Sequence, residues 1–322
     1  MKLSCALLVQ SLVLALAAGC RTPATPLAIE GEGPLLIALG TVQDGGLPHA
    51  SCGCERCELA RQDSTRRRFV SGLAIRLPDE DQNWLIDATP NLPYQLEILR
   101  IWDDDARDDV DHAPIDGVFL THAHVGHYLG LANLGTEAVN TSDVAVYATH
   151  RTGDFLRNNA PWCQLVGEDN VELQLLRPKR TVQIADRFRV TPFLVPYHGD
   201  CSDTVGFRIE GRRSTVLYVP DTVGWDQWKT PLTERLQGVD VALLDGSFYS
   251  LDDIPGRSRD EVGHPLITET MDLLQPLVAQ GLIVYFTHMH HMNPILGPGT
   301  EVADEVRRRG FRILDEGWTL DL

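Results

Sequence analysis

Four apolar, β-rich runs of this chain each end, within a few residues, on a side chain of a type that binds metals. Residues 117–120 run into Thr121-His122-Ala123-His124-Val125-Gly126-His127, and residues 190–197 end on His198. Residues 216–219 are followed by Pro220 and Asp221, and residues 282–286 lead to Thr287-His288. A run of this kind that stops in a loop places the next residues at a sheet edge, where connecting loops gather. The first of the four is the most restrictive. Neutral imidazole is a borderline-soft ligand, and residues at i, i+2 and i+5 converge where an extended chain gives way to a helix. Scattered histidines often only satisfy hydrogen bonds, but three at this spacing directly after a strand point to a transition-metal site.

A second constellation is Cys52-Gly53-Cys54-Glu55-Arg56-Cys57. Thiols this close do not easily bridge one another. They can hold one zinc with a fourth ligand from elsewhere, for which His291, just past His288, is a candidate. A reactive or disulfide-bonded trio is the alternative in an oxidising compartment. His264 stands in Gly263-His264-Pro265, ahead of the helix-like stretch 266–280, with Pro265 suited to a first helical turn. It can donate a proton to a leaving group, or it is a cap or surface-loop histidine. Asp87 ends the run Trp84-Leu85-Ile86, where a cap for Thr89 or for the helix near Leu92 is one reading. Trp162 and Trp225 fall in loops that either wall a pocket or pack in the core.

The order His cluster, His, Asp, His resembles the ligand pattern of the metallo-β-lactamase superfamily, with its His-x-His-x-Asp-His signature. The resemblance implies an α/β fold, the αββα sandwich of that superfamily. It also implies that His122, His124 and His198 bind one metal, that Asp221 bridges, and that His127 and His288 remain for a second metal. Gly126 stands where that superfamily carries the Asp of the second site, so this set is one ligand short. Asp87 resembles the superfamily's Asp that accepts a hydrogen bond from a ligating imidazole and fixes its tautomer. The Cys cluster with His291 is similar to the structural zinc site of the cyclic phosphodiesterases of phosphonate catabolism. In those relatives a histidine before the last helix contacts substrate or acts as acid, which implies that role for His264.

Across residues 33–322 the chain looks most like the coenzyme PQQ biosynthesis protein B family. The segments that carry this are Ala38-Leu39-Gly40-Thr41-Val42-Gln43-Asp44-Gly45-Gly46 with the following cysteines, Asp245-Gly246-Ser247-Phe248, Gly263-His264-Pro265 and Asn293-Pro294-Ile295-Leu296. That family carries Gln in the place of His124 and Asp in the place of Gly126. The resemblance therefore implies a relative with a fuller first metal site, and not the pathway enzyme itself.

The N-terminus addresses the compartment. Met1-Lys2 is a short basic start, and residues 6–18 form an apolar run suited to a signal peptide and too short to span a membrane comfortably. Leu16-Ala17-Ala18-Gly19-Cys20 resembles a bacterial lipobox. Residues 1–19 are thus expected to be a lipoprotein signal peptide and Cys20 the lipidated residue. Residues 20–33, rich in Pro, Thr and Gly, form a tether. Arg21 after Cys20 leans toward a periplasm-facing outer-membrane protein, with the membrane as a partner through the lipid; ordinary secretion is the alternative. A formal net charge of −17 argues against binding a nucleic-acid backbone. The sequence does not determine whether Cys163 and Cys201 pair. The acidic run 103–109 reads as a solvated loop, with a calcium site as the lesser alternative.

Residues 34–322 suit one large α/β domain, since the ligands come from both halves. Strands are predicted near 35–39, 71–76, 84–86, 117–120, 143–148, 181–184, 188–196, 204–210, 214–219, 241–244 and 282–286. Helices are predicted near 92–101, 127–135, 152–158, 225–236, 266–280 and 301–309. The expected activity is metal-assisted hydrolysis of a small phosphoester or carbonyl ester or amide. In such chemistry a bound cation lowers the pKa of its water from about 15.7 toward roughly 7 and the hydroxide attacks. Asp221 orients the nucleophile or bridges metals, and His264 protonates the leaving group. One or two zinc ions are expected in the active site, with iron or manganese as alternatives, and one structural zinc at the cysteines. An Fe(II) oxygenase and a non-catalytic binding lipoprotein are the rival classes.

Overall fold

Leu35–Gly40 (β1) is buried along its whole length, and its side chains divide between two cores. Leu36 and Ala38 enter one apolar cluster, and Leu35, Ile37 and Leu39 enter another. A strand covered on both faces reads as a continuous apolar run, which is why the period-2 alternation of a half-exposed strand is missing here. This computed structural model describes residues 33–100, 114–186, 188–196, 202–254, 256–297 and 299–322. The expected signal peptide and tether, Cys20, the acidic run, His198 and Cys201 lie outside the described residues.

The first sheet comprises β1, Gly72–Leu77 (β2), Gln82–Ile86 (β3), Gly117–Phe119 (β4), Val144–Ala148 (β5) and Val171–Leu175 (β6). The second comprises Val182–Ala185 (β7), Phe188–Leu194 (β8), Val205–Glu210 (β9), Thr215–Val219 (β10), Val241–Asp245 (β11), Ile283–Thr287 (β12) and Arg312–Ile313 (β13). Thr319–Asp321 (β14) returns to pair with β1, giving the orders β14-β1-β2-β3-β4-β5-β6 and β13-β12-β11-β10-β9-β8-β7. Each sheet is antiparallel at one side and parallel at the other, with β3 to β6 and β10 to β13 parallel. Parallel strands end at a common edge, and the loops beyond that edge are where open α/β sheets bind ligands.

Leu36, Ile75, Phe119, Phe207, Tyr218 and Leu243 fill the space between the sheets. Outside the first sheet pack Leu92–Leu99, His150–Asn158 and Trp162–Gly167; outside the second pack Glu55–Gln62, Leu232–Arg235, Ile267–Val278 and Glu301–Arg308. The order of layers is αββα. The longest of these helices presents Ile267, Met271 and Leu274 as one buried stripe at i, i+4 and i+7. Each such side chain contributes about 1.5–3 kcal/mol on burial, and Leu274→Ala would cost about 2–5 kcal/mol.

Several local expectations are corrected. The helix expected over 225–236 is reduced to the 3-10 turn Trp225–Gln227 and the single turn Leu232–Arg235, because Pro231 has no N–H to continue a helix. The helix expected over 127–135 begins at Val125 and tightens after Tyr128 into the 3-10 turn Leu129–Leu134. Pro265 lies before the first turn of Ile267–Val278. Trp162 sits in a helix, not a loop, and packs on Tyr128 and Phe155 in the outer core, so it walls no pocket at the ligand cluster. Trp225 packs on Trp228, donates its indole N–H to Thr270 Oγ1 at 2.7 Å, and lines a surface cavity with Arg259, Val262 and Gly263.

Candidate metal centre

The carboxyl ends of β3, β4, β10, β11 and β12 meet at one edge, carrying Asp87, the His122 to His127 loop, Asp221, Asp245 and His288. Asp221 is at the middle. Its Oδ2 lies 3.1 Å from His122 Nε2, 3.8 Å from His124 Nδ1 and 4.0 Å from His288 Nε2. The ligand atoms of His122, His127 and Asp221 lie within 4.8 Å of one another, and so do those of Asp44, His127 and His288. His127 Nε2 and His288 Nε2 are buried with no hydrogen-bond partner among the described residues. Buried ring nitrogens are otherwise hydrogen-bonded, so two Nε2 atoms turned toward a shared space fit a cation that takes the place of the His127 proton. His198, expected in the same set, lies outside the described residues.

The aim of these rings is set from behind. His127 Nδ1 donates to Asp87 Oδ2 at 2.7 Å. Asp87 also accepts the Thr121 amide at 2.8 Å and the Thr121 hydroxyl at 2.9 Å. With its proton given to Asp87, the Thr121 oxygen can accept from His122 Nδ1, 3.0 Å away. One carboxylate thereby favours, in both rings, the tautomer that carries its proton on Nδ1 and turns Nε2 toward the Asp221 side of the site. Asp87 takes this position in the left-handed region, at φ 69°; its carboxylate is engaged by Thr121 and His127, and Asn91 stands at the N-cap of the following helix. His288 is likewise left-handed, at φ 56°, with its amide donating to Ser71 Oγ at 3.0 Å. Non-glycine residues held at positive φ cluster at functional sites.

Charge follows from this packing. Burial lowers the His122 pKa to about 4, and the neighbouring His127 pushes the same way. Burial also opposes charge on His127, but the Asp87 and Asp44 carboxylates outweigh it and lift its pKa to about 9. Burial raises the Asp221 carboxyl, yet His288, His122 and His124 hold it well below the ordinary value. A cation entering the site competes with the His127 proton.

His264 is neither a cap nor a surface residue. Its Nδ1 lies 2.9 Å from Asp245 Oδ2 and 3.4 Å from Asp221 Oδ1, and the side chain is 17% exposed. Burial works against its charge, but Asp245, then Asp221 and Asp44, raise its pKa to about 9. Asp245, Ser247 and Gln43 were not singled out as site residues in the sequence. Ser247 Oγ accepts from Gln43 Nε2 at 2.8 Å and donates to the His288 carbonyl at 3.2 Å, which ties the β1 loop to the β12 loop. Asp44 was also missed; it appears in the sequence only within a Gln43-Asp44-Gly45-Gly46 turn.

The cysteine constellation assembles separately. The three Sγ atoms and a His291 ring nitrogen lie within 4.8 Å of one another, with Cys52 Sγ 3.4 Å from His291 Nε2. Cys52, Cys54 and Cys57 form no disulfide. Burial disfavours the Cys54 thiolate, yet the Cys57 amide and the Cys52 and Cys57 thiols around it hold its pKa below the ordinary thiol value. Three sulfurs and one imidazole at this separation fit a closed tetrahedral zinc.

Comparison with known proteins gives a consistent picture. The family model for the beta-lactamase superfamily domain matches residues 82–289. Coenzyme PQQ synthesis protein B of Rhizobium meliloti (strain 1021) is 28% identical over 325 residues, covering 89% of this chain and 97% of the relative. Among solved structures, Zn²⁺-bound PqqB from Methylobacterium extorquens superposes with a TM-score of 0.73 at 24% identity, covering 89% of this chain and 100% of that one. A diphosphatase of the PhnP family superposes with a TM-score of 0.60 at 20% identity, covering 90% and 98%. These structural likenesses show the metallo-β-lactamase fold.

Proposed function

The chain belongs to the beta-lactamase superfamily, and from that premise we propose that it is a metal-dependent hydrolase working at the edge where β4, β10 and β12 end. The observation that carries this reading is the meeting of His122, His127 and Asp221 ligand atoms within 4.8 Å. His122, His124 and Asp221, with His198, would hold one divalent cation, and His127 and His288 would hold a second. A cation bound there supplies Lewis acidity and acidifies a coordinated water from a pKa of about 15.7 toward about 7. Zinc suits this donor set, and the PqqB structure described above is of a zinc-bound protein. A structural zinc at Cys52, Cys54, Cys57 and His291 completes the complement.

The side chains do the remaining work. Asp87 and Thr121 keep two imidazoles in the ligating tautomer. Asp221, whose Oδ2 lies 3.1 Å from His122 and 4.0 Å from His288, would contribute to both halves of the ligand set. His264, held through Nδ1 by Asp245 and with Nε2 3.5 Å from Gln43 Nε2, serves as the proton donor to a leaving group. The substrate is a small phosphoester or a carbonyl ester or amide; the PhnP-family diphosphatase, which shares the fold, favours the phosphoester.

Metal analysis of the protein and of His122→Ala, with a hydrolysis screen on small phosphodiesters, diphosphates and esters, tests the reading. The expected result is zinc that His122→Ala releases, together with a hydrolytic activity that it abolishes. Hydrolysis surviving in His122→Ala would overturn the proposal. Iron in the His122-dependent site with oxygen uptake would assign the chain to the oxygenase class.

We also propose that residues 1–19 are a lipoprotein signal peptide and that Cys20 carries lipid, with 20–33 as tether to a periplasm-facing domain. The lipobox-like Leu16-Ala17-Ala18-Gly19-Cys20 supports this. Cys20→Ala should move the protein from the membrane to the soluble fraction; unchanged membrane partition would count against it.

A further inference from the structure

Gly126 lies in the helical turn Val125–Tyr128, and its backbone is not in the left-handed region. Conformation therefore does not require glycine there. Space does: a Cβ at 126 would stand 1.9 Å from Asp44 Oδ1, 2.8 Å from Asp44 Cγ and 2.9 Å from Asp44 Cα. Backbone as well as side chain would have to shift to admit even alanine. The volume a side chain at 126 would use is occupied by a carboxylate from another part of the chain.

That carboxylate is aimed. Asp44 Oδ1 lies 3.7 Å from His127 Nε2, and the ligand atoms of Asp44, His127 and His288 are mutually within 4.8 Å. Asp44 Oδ1, His127 Nε2 and His288 Nε2 are all buried without a hydrogen-bond partner among the described residues. A carboxylate oxygen and two imidazole nitrogens facing one another need something positive among them, either the His127 proton or a cation that displaces it. The loop is fixed in place. Val42 bridges to both Val70 and Met289, the Gln43 amide donates to the Met289 carbonyl at 3.1 Å, and Met289 N donates to Thr41 O at 3.0 Å. Asp44 is thus stitched to the segment that carries His288.

We propose that Asp44 is a metal ligand: with His127 and His288 it holds a second divalent cation, shared with Asp221, and Gly126 is the vacancy that lets its carboxylate reach the ion. The ligand set is then complete without a side chain at position 126. This rests on the metallohydrolase reading above, and its test separates the two.

Zinc per chain is measured on the full-length protein, on Asp44→Asn, on Gly126→Asp and on the double variant D44G/G126D, with calorimetric zinc titration of each. The wild-type chain should hold three zinc ions, one of them at the cysteines. Asp44→Asn, near-isosteric and chosen to preserve folding, should lose about one equivalent or bind it at least about tenfold more weakly. Gly126→Asp alone should lose zinc too, because two side chains contend for one space. D44G/G126D should recover the lost equivalent, since the carboxylate returns from the other side of the same gap. Wild-type zinc content in Asp44→Asn overturns the proposal and leaves the hydrolase reading standing. A wild-type chain with no zinc that His122→Ala releases overturns both.

Discussion

Asp87 and His127 meet at 2.7 Å with neither side chain exposed to solvent. The same carboxylate reaches His122 through Thr121, so one residue at the end of β3 governs two imidazoles from the loop after β4. Asp87→Ala strands the Thr121 amide and the His127 ring in a buried space. It also forces alanine to adopt a left-handed φ. It should destabilise the fold by about 2–4 kcal/mol. Asp87→Asn tolerates that φ better and should mainly affect metal, weakening it by about 10–100-fold. Thermal melts and zinc titration of the pair check this; unchanged zinc affinity in both variants would remove Asp87 from the tautomer role.

The cysteine cluster joins the start of Glu55–Gln62 to the loop after β12, with Cys52 and His291 separated by 239 positions in the chain. A zinc there acts as a cross-link between distant segments, and a ligand bound at about 1,000 times its Kd adds about 4 kcal/mol to stability. Cys54→Ser should release one zinc equivalent and lower Tm, while leaving the zinc that depends on His122 in place. Loss of all zinc together would mean the two centres are not independent.

How much of this was legible in the sequence depends on where each residue's partners lie. β4, β10, β11 and β12 are buried on both faces, so their apolar runs and the chemistry just past them stand out. β6 was not, because Val171–Leu175 is half-exposed at the sheet edge and its Glu172 and Gln174 break the apolar run. β13 and β14 are two and three residues long, too short for any period. Asp44 was invisible for a different reason. Its neighbours His127 and His288 come from other loops, and nothing local marks an Asp before two glycines as more than a turn. Gly126 was read as a missing ligand; only the fold shows that its missing side chain makes room for Asp44.

His264 offers a separation of roles. It touches Asp245 and Asp221 through Nδ1, so removing it should leave the ions largely in place while removing a proton donor. His264→Gln is expected to lower kcat by about 10²-fold or more, with KM and zinc content little changed. The loss should shrink for substrates whose leaving group needs no proton, such as a nitrophenolate. A fall in zinc content matching the fall in kcat would instead give His264 a supporting role in the ligand set.

Glu316 lies far from this chemistry in the chain and carries a pH signature of its own. Burial raises its pKa to about 7, although the Phe69 amide donates to Oε1 and Arg68 is nearby. The unfolded chain releases this proton near 4.5, so between 4.5 and about 7 the native state binds more protons than the unfolded one. Its favourable contribution is full below about 4.5 and is lost as the pH rises through about 7. Glu316→Gln keeps the side chain neutral and still accepts from the Phe69 amide. The variant should match the wild type at acid pH and exceed it at pH 8 by about 1–2 kcal/mol, a figure reduced for partial exposure. Melting curves from pH 5 to 8 check this: the two Tm profiles should diverge as pH rises, and parallel profiles would show that Glu316 ionises without cost to the fold.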